Sequence, residues 1–164
     1  MLHIVLYQPE IPHNTGAVGR LCLATGARLH LIRPFGFSLD DKHLKRAGLD
    51  YWADVDVCEW DSLDQMRDAA GPDSLFCYFT TKATETYWDA DFTAVAHTYF
   101  IFGPESRGLP ASLITHPGHR TLRIPMEGTR SLNLATSVGI ALYEAVRQRS
   151  RLTVAETRPS SHLK

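Results

Sequence analysis

The residues able to do chemistry concentrate in a few short polar stretches, each next to an apolar run. Tyr99 to Phe102 reads as a buried strand and breaks into Gly103-Pro104-Glu105-Ser106-Arg107-Gly108-Leu109-Pro110. Leu122 to Ile124 is a second short run that stops at Pro125. It is followed by Gly128-Thr129-Arg130-Ser131 and then an apolar segment from Leu132 onward. Gly-Pro punctuation ends a strand abruptly, and in open α/β sheets ligands sit beyond the carboxyl ends of strands. Loops that bring bare backbone N–H and C=O groups to a ligand suit a nucleoside-like molecule with many polar atoms. Near the N-terminus, Asn14-Thr15-Gly16-Ala17-Val18-Gly19-Arg20 adds an amide and a guanidinium.

Other familiar chemistries are missing. No GxGxxG follows the first apolar run, and there is no GxxxxGK[ST] or GxSxG. The eight histidines are scattered, with no HExxH or clustered ligand set, so no metal is expected. His3, His30 and His97 fall in or beside strand candidates and read as structural. The three cysteines, Cys22, Cys58 and Cys77, lie far apart in apolar contexts, which points to buried, reduced thiols.

Elements that must position these groups alternate between strand and helix. Strand candidates are Leu2–Tyr7, Leu29–Ile32, Val55–Cys58, Leu75–Phe79, Thr98–Phe102 and Thr121–Ile124. The fourth is wholly apolar and reads as an inner strand. Asn14 is placed to cap a first helix that stops at Gly26. Asp40 can cap a short basic helix to Ala47, and Ser62–Ala70 is an amphipathic helix. Residues 83–97 read as irregular or weakly helical. The last helix runs from about Leu132 to Arg149 and is apolar on more than one face. The pattern predicts an α/β fold with a mostly parallel sheet flanked by helices, forming one domain over residues 1–150. A polar tail over 151–164 follows.

The 164 residues suffice for a real core, and 44% are hydrophobic. Neither a membrane-spanning run nor a basic-then-apolar leader is present, so a cytoplasmic protein is expected. The net charge of -1 does not announce a nucleic-acid binder, but its distribution is uneven. Residues 28–46 carry Arg28, Arg33, Lys42, Lys45 and Arg46, whereas residues 54–73 carry seven acids and only Arg67. Such a basic region can bind phosphate despite a neutral total, although a solvated helix face accounts for Lys45 and Arg46 equally well.

NTGAVGR (Asn14–Arg20), FGPESRGLP (Phe102–Pro110) and IPMEGTRSLNLATSVGIALYE (Ile124–Glu144) together resemble the three signature motifs of the SPOUT class of RNA methyltransferases. More narrowly, they resemble its minimal TrmH-like branch, which has no extra RNA-binding domain. The resemblance covers nearly the whole chain, including LHIVLYQPEIPHNTG, RAGLDYW and the TTK after the fourth strand. His13 departs from it, standing where the pattern usually has a second Pro. The resemblance implies a C-terminal deep trefoil knot, which composition cannot show because chains are nearly always un-knotted. It also implies bound S-adenosylmethionine and a homodimer whose active site uses both subunits. The substrate it implies is the ribose 2′-hydroxyl of the wobble nucleotide of tRNA, C or U at position 34, with leucine isoacceptors foremost. Ribosomal RNA as substrate, or a non-catalytic RNA-binding or assembly protein of the same fold, are the alternatives.

By motif, the resemblance assigns Phe79, Thr80, Gly103, Glu105, Ile124, Met126, Ser131 and Leu132 to the cofactor. Arg20 is the activator of the hydroxyl, with Asn14 and Asn133 positioning the loop and the ribose. Arg130, Lys82, Lys45 and Arg46 are candidates for contact with RNA phosphates. Taken singly, the same residues have simpler uses: Asn14, Ser131 and Asn133 as helix caps, Glu105 as a solvated loop acid, Arg20 as a surface arginine.

Overall fold

Six strands form one sheet in the order β3-β2-β1-β5-β4-β6, with every neighbouring pair parallel. They are β1 (Leu2–Tyr7), β2 (Arg28–Ile32), β3 (Val57–Trp60), β4 (Ser74–Phe79), β5 (His97–Phe102) and β6 (Arg120–Leu122). The computed structural model describes residues 1–37 and 51–156, without the side chains of 151–156. Four helices are described: α1 (Pro12–Thr25), α2 (Leu63–Ala69), α3 (Ala111–Ile114) and α4 (Leu134–Glu156).

Parallel pairing leaves both faces to be covered, and the strands are apolar on both. Ile4, Leu6, Leu29, Leu31, Phe100, Phe102 and Leu122 form one face. Val18 and Cys22 of α1 cover it together with Val138, Ala141, Leu142 and Ala145 of α4. Val5, Ile32, Tyr78, Tyr99 and Ile101 form the other, under Leu63 and Met66 of α2. The chain runs outward from β1 to β3 and then returns to the far side, so the order reverses between β1 and β5. Such a reversal leaves a crevice outside the carboxyl ends of the strands.

Several boundaries move relative to the sequence reading. Helix α1 begins at Pro12, with Ile11 as its N-cap residue, so Asn14 lies inside the first turn and does not cap it. Proline suits that first position because its missing N–H would be unpaired there anyway. The helix does stop at Gly26, whose φ of 68° lets its neighbour close the turn. Strand β3 lies slightly later than Val55–Cys58, because Trp52–Asp54 forms a 3-10 turn that delays it. Strand β6 ends at Leu122, short of Ile124. Helix α4 starts at Leu134 and continues to Glu156, so residues 151–156 belong to it and not to a loose tail. The proposed helix from Asp40 to Ala47 and the remaining tail, 157–164, lie outside the described residues.

The basic and acidic regions do not stay apart. Strands β2 and β3 are neighbours, and Arg28 Nε donates to Asp56 Oδ2 at 2.7 Å while Arg33 bonds Glu59. Two arginines of the expected phosphate patch are thus matched by acids across one sheet edge. Cys22 and Cys77 are buried, which pushes both thiols up to about 12, while Cys58 is only half-buried.

Candidate active site

Loops after β1, β5, β4 and β6 meet at the carboxyl end of the sheet and enclose a cavity of about 490 Å³. Twelve of the fifteen residues singled out from the sequence line it. Phe79, Thr80 and Lys82 follow β4; Gly103 and Glu105 follow β5; Ile124, Met126, Arg130, Ser131, Leu132 and Asn133 follow β6; Asn14 comes from α1. Residues remote in sequence therefore share one wall because their strands are neighbours in the sheet.

Gly103 shows how tightly the β5 loop folds. A Cβ there would lie 2.3 Å from both the Gly108 carbonyl carbon and the Leu109 nitrogen, so only glycine fits. The loop returns on itself through the Gly108 N–H, which donates to the Pro104 oxygen at 2.9 Å.

Glu105 is not a solvated acid. Its Oε2 accepts from the Glu10 backbone N–H at 2.8 Å, and its Oε1 accepts from the Ile11 N–H and from Asn14 Nδ2, both at 3.1 Å. Helix α1 has no side-chain cap of its own, and this carboxylate serves its free N-terminal donors from the other loop. Asn14 Oδ1 in turn accepts from Asn133 Nδ2 at 3.0 Å. Asn133 also caps α4, its Oδ1 accepting from the Thr136 N–H at 3.2 Å. Glu105, Asn14 and Asn133 thus form one relay joining the β5 loop to the starts of α1 and α4. Capping and site-building coincide at Asn133; at Asn14 only the second holds.

Arg20 stands apart. It is exposed, outside the cavity lining, with its guanidinium carbon 4.4 Å from the centroid of the Tyr51 ring. The Tyr51 hydroxyl donates to the Gly16 oxygen at 2.8 Å, which anchors the ring on α1. Trp52 follows it onto the helix at Gly19, where a Cβ would lie 2.6 Å from the indole. Tyr51 went unnoticed in the sequence, although it sits inside RAGLDYW. Also missed were Gln8 and Glu10, hidden in a stretch that reads only as a proline-broken loop.

Lys82 and Arg130 are exposed at the cavity and make no ion pair among the described residues. Lys45 and Arg46 lie outside the described residues. Among the described residues no group of three or more His, Cys, Asp or Glu could hold a metal ion, and no helix is long and apolar enough to cross a membrane.

A cavity of this size at a sheet reversal, with apolar walls and a saturated carboxylate relay, defines a small-molecule site of an α/β enzyme. The chain belongs to the SpoU rRNA Methylase family, whose model matches residues 1–143. Among its relatives is the tRNA (cytidine(34)-2'-O)-methyltransferase of Aeromonas hydrophila. The two are 49% identical over 150 residues, covering 90% of this chain and 94% of the relative. A solved structure concerned with 2-OH methylation of C/U34 on tRNA is 48% identical, with a TM-score of 0.84, covering 92% of this chain and 97% of that one. The SpoU methyltransferase AviRb of Streptomyces viridochromogenes, solved with AdoMet, is 28% identical with a TM-score of 0.77. That match covers 92% of this chain and 61% of AviRb.

Proposed function

We propose that this protein transfers a methyl group from S-adenosylmethionine to the ribose 2′-hydroxyl of the wobble nucleotide, C or U at position 34, of tRNA. In this reading it works in the cytoplasm as a homodimer, as a single catalytic domain that runs through α4, with its C-terminal part threaded as a trefoil knot. The carrying observation is the convergence of all three motif segments on one cavity of about 490 Å³. Support for the substrate comes from relatives near half identity whose names specify that nucleotide.

The cavity's chemistry fits the cofactor. Phe79, Ile124, Met126 and Leu132 offer an apolar wall for a purine, and the loop backbones at Gly103 and Ser131 offer polar atoms for base and ribose. When bound, S-adenosylmethionine supplies an electrophilic methyl for in-line attack. The protein's own part is positioning and charge. Asn14, Glu105 and Asn133 hold the cavity loops in one arrangement before substrate arrives. Lys82 and Arg130 at the mouth suit RNA phosphates. A guanidinium is a poor proton acceptor, so Arg20 orients a phosphate or stabilises the developing alkoxide, and the phosphate or water takes the hydroxyl proton.

The position of Arg20 outside its own chain's cavity favours a site completed by a second copy. Of Leu134, Val138, Leu142 and Val146, the apolar excess that together with the resemblance suggests a dimer, the first three are buried within one chain and Val146 is half-buried against its core. Among the described residues, the large apolar side chains left exposed on the two packed helices are Leu23 of α1 and Tyr143 of α4. Light scattering at micromolar concentration tests the dimer, and a fully active monomer overturns it. For the reaction, purified protein is incubated with S-adenosylmethionine and either unmodified tRNA or ribosomal RNA, followed by nuclease mapping and mass spectrometry. The expected product is a single 2′-O-methyl group at position 34; methylation of ribosomal RNA alone overturns the assignment.

A further inference from the structure

We propose that Glu10, which does not line the cavity, is a positioning residue for it: by gripping Ser106 its carboxylate locks the Pro104–Leu109 loop against the start of α1. This rests on the reading of the cavity as the S-adenosylmethionine site.

Glu10 Oε2 accepts from the Ser106 backbone N–H at 2.8 Å, and Oε1 accepts from the Ser106 hydroxyl at 2.7 Å. These bonds, together with the nearby Arg107 charge, hold the carboxyl below the usual carboxylate range, so it is ionised at neutral pH. The exchange is reciprocal. Residue 10 grips the β5 loop through its side chain, while Glu105 of that loop grips the backbone of residues 10 and 11. A further contact extends the row: Arg107 donates to Gln8 Oε1 at 2.8 Å. Gln8 has a φ of 51°, in the left-handed region that non-glycine residues seldom adopt, while its N–H bonds the Ile32 oxygen at 3.0 Å. Such a conformation persists where the surroundings impose it. Ser106 and Arg107 line the cavity whereas Glu10 and Gln8 do not, so the grip acts through the loop. It fixes the cofactor wall relative to the helix that carries both Asn14 and Arg20.

An acid in this place could instead serve only by its charge, for example by repelling misplaced phosphates. Glutamine separates the two roles, because its carbonyl still accepts from the Ser106 N–H and its amide donates to the Ser106 oxygen. Glu10→Ala and Glu10→Gln are compared with wild type in three measurements: hydrogen exchange of the ligand-free protein, calorimetric titration with S-adenosylmethionine, and single-turnover methylation of tRNA. For Glu10→Ala, exchange over 103–109 accelerates while β1 and β5 peptides are unchanged, and cofactor affinity falls about tenfold, the scale of charge-assisted hydrogen bonds. For Glu10→Gln, both return to within about threefold of wild type. Equal defects in the two variants assign Glu10 to a charge role and overturn the proposal, as does an alanine variant with unchanged exchange and affinity. Wild-type protein that fails to bind S-adenosylmethionine sinks the reading of the cavity, while the exchange data still judge the grip.

Discussion

The two ends of the same sheet solve opposite problems. At the carboxyl end, the side chains of Glu10 and Glu105 accept from N–H and hydroxyl donors on loops that enclose a cavity. At the amino end, three imidazoles form a chain. His3 Nδ1 lies 3.0 Å from His30 Nε2, and His3 Nε2 lies 3.0 Å from His97 Nδ1. The Trp60 indole N–H can only donate, and it donates to His30 Nδ1 at 2.9 Å. With neutral rings, that one donor fixes every tautomer: His30 donates to His3 and His3 donates to His97. His3 also stacks on Tyr99, with centroids 4.1 Å apart. Burial, with the neighbouring rings and Arg28, lowers His3 to about 3; burial and Arg28 lower His30 to about 4. One end keeps the charge of Glu10 beside the cavity loops; the other removes charge and packs. Substitutions at the carboxyl end should therefore alter activity with little loss of stability, and those at the amino end the reverse.

The largest effect expected is on turnover. Arg20→Ala should lower single-turnover methylation by about a thousandfold. Calorimetric affinity for S-adenosylmethionine and the melting temperature should barely change, since Val18 and Cys22 supply the buried face of α1. Arg20→Lys should fail almost as badly, because a point charge does not copy a planar fork. If cofactor affinity collapses with activity, Arg20 belongs to the cavity after all. Tyr51→Ala should reproduce a weaker form of this defect, through loss of the ring beneath the guanidinium.

Acid should act on the opposite end. Both imidazoles are neutral in the folded protein, and the unfolded chain takes up protons as pH falls through 6.5. Their contribution is fully present above pH 6.5 and is lost as pH falls toward about 4 and then 3, where the folded rings titrate. A loss on the order of 3 kcal/mol for each ring by pH 4 is expected. Urea midpoints measured from pH 8 to pH 4 give the slope, and His3→Phe should flatten it. A variant with the wild-type slope would show that the chain of rings is not the acid-labile element.

Glu105→Gln comes next. It keeps an acceptor at Oε1 for Ile11 and Asn14 but sets an amide N–H against the Glu10 N–H, so cofactor affinity should drop about tenfold with a small fall in melting temperature. Calorimetry and a thermal melt on one sample distinguish a site defect from a fold defect. The smallest effect is expected from Lys82→Ala with Arg130→Ala. Affinity for tRNA should fall several-fold, and the salt dependence should flatten by about 0.7–0.9 for each phosphate that the double variant no longer neutralises. An unchanged salt slope would return both residues to the solvated surface.

How legible each end was follows from what local sequence encodes. Apolar runs and Gly-Pro breaks located all six strands to within a few residues, and twelve of the residues singled out by motif line one cavity. The cap of α1 was misplaced at Asn14 because asparagine is a good cap in isolation, whereas Pro12 starts the helix earlier and Glu105 does the capping from afar. The pairing of Arg28 and Arg33 with Asp56 and Glu59 depends on the β2–β3 register, which composition does not contain. His3, His30 and His97 could be recognised as structural one by one, but their meeting needs three strands in register. Glu10 was invisible for the same reason: its partner is 96 residues away.

That distance has a consequence for synthesis. The free donors at the start of α1 bond to a carboxylate up to 95 residues downstream, and Asn14 bonds one 91 residues downstream. On the ribosome, β1, α1 and β2 emerge long before Glu105 does, so the first turn of α1 stays frayed until β5 has joined the sheet beside β1. Truncated nascent chains ending before residue 105 should therefore show a helix formed from its Gly26 end only. The turn of α1 that carries Asn14 is the last part of it to set.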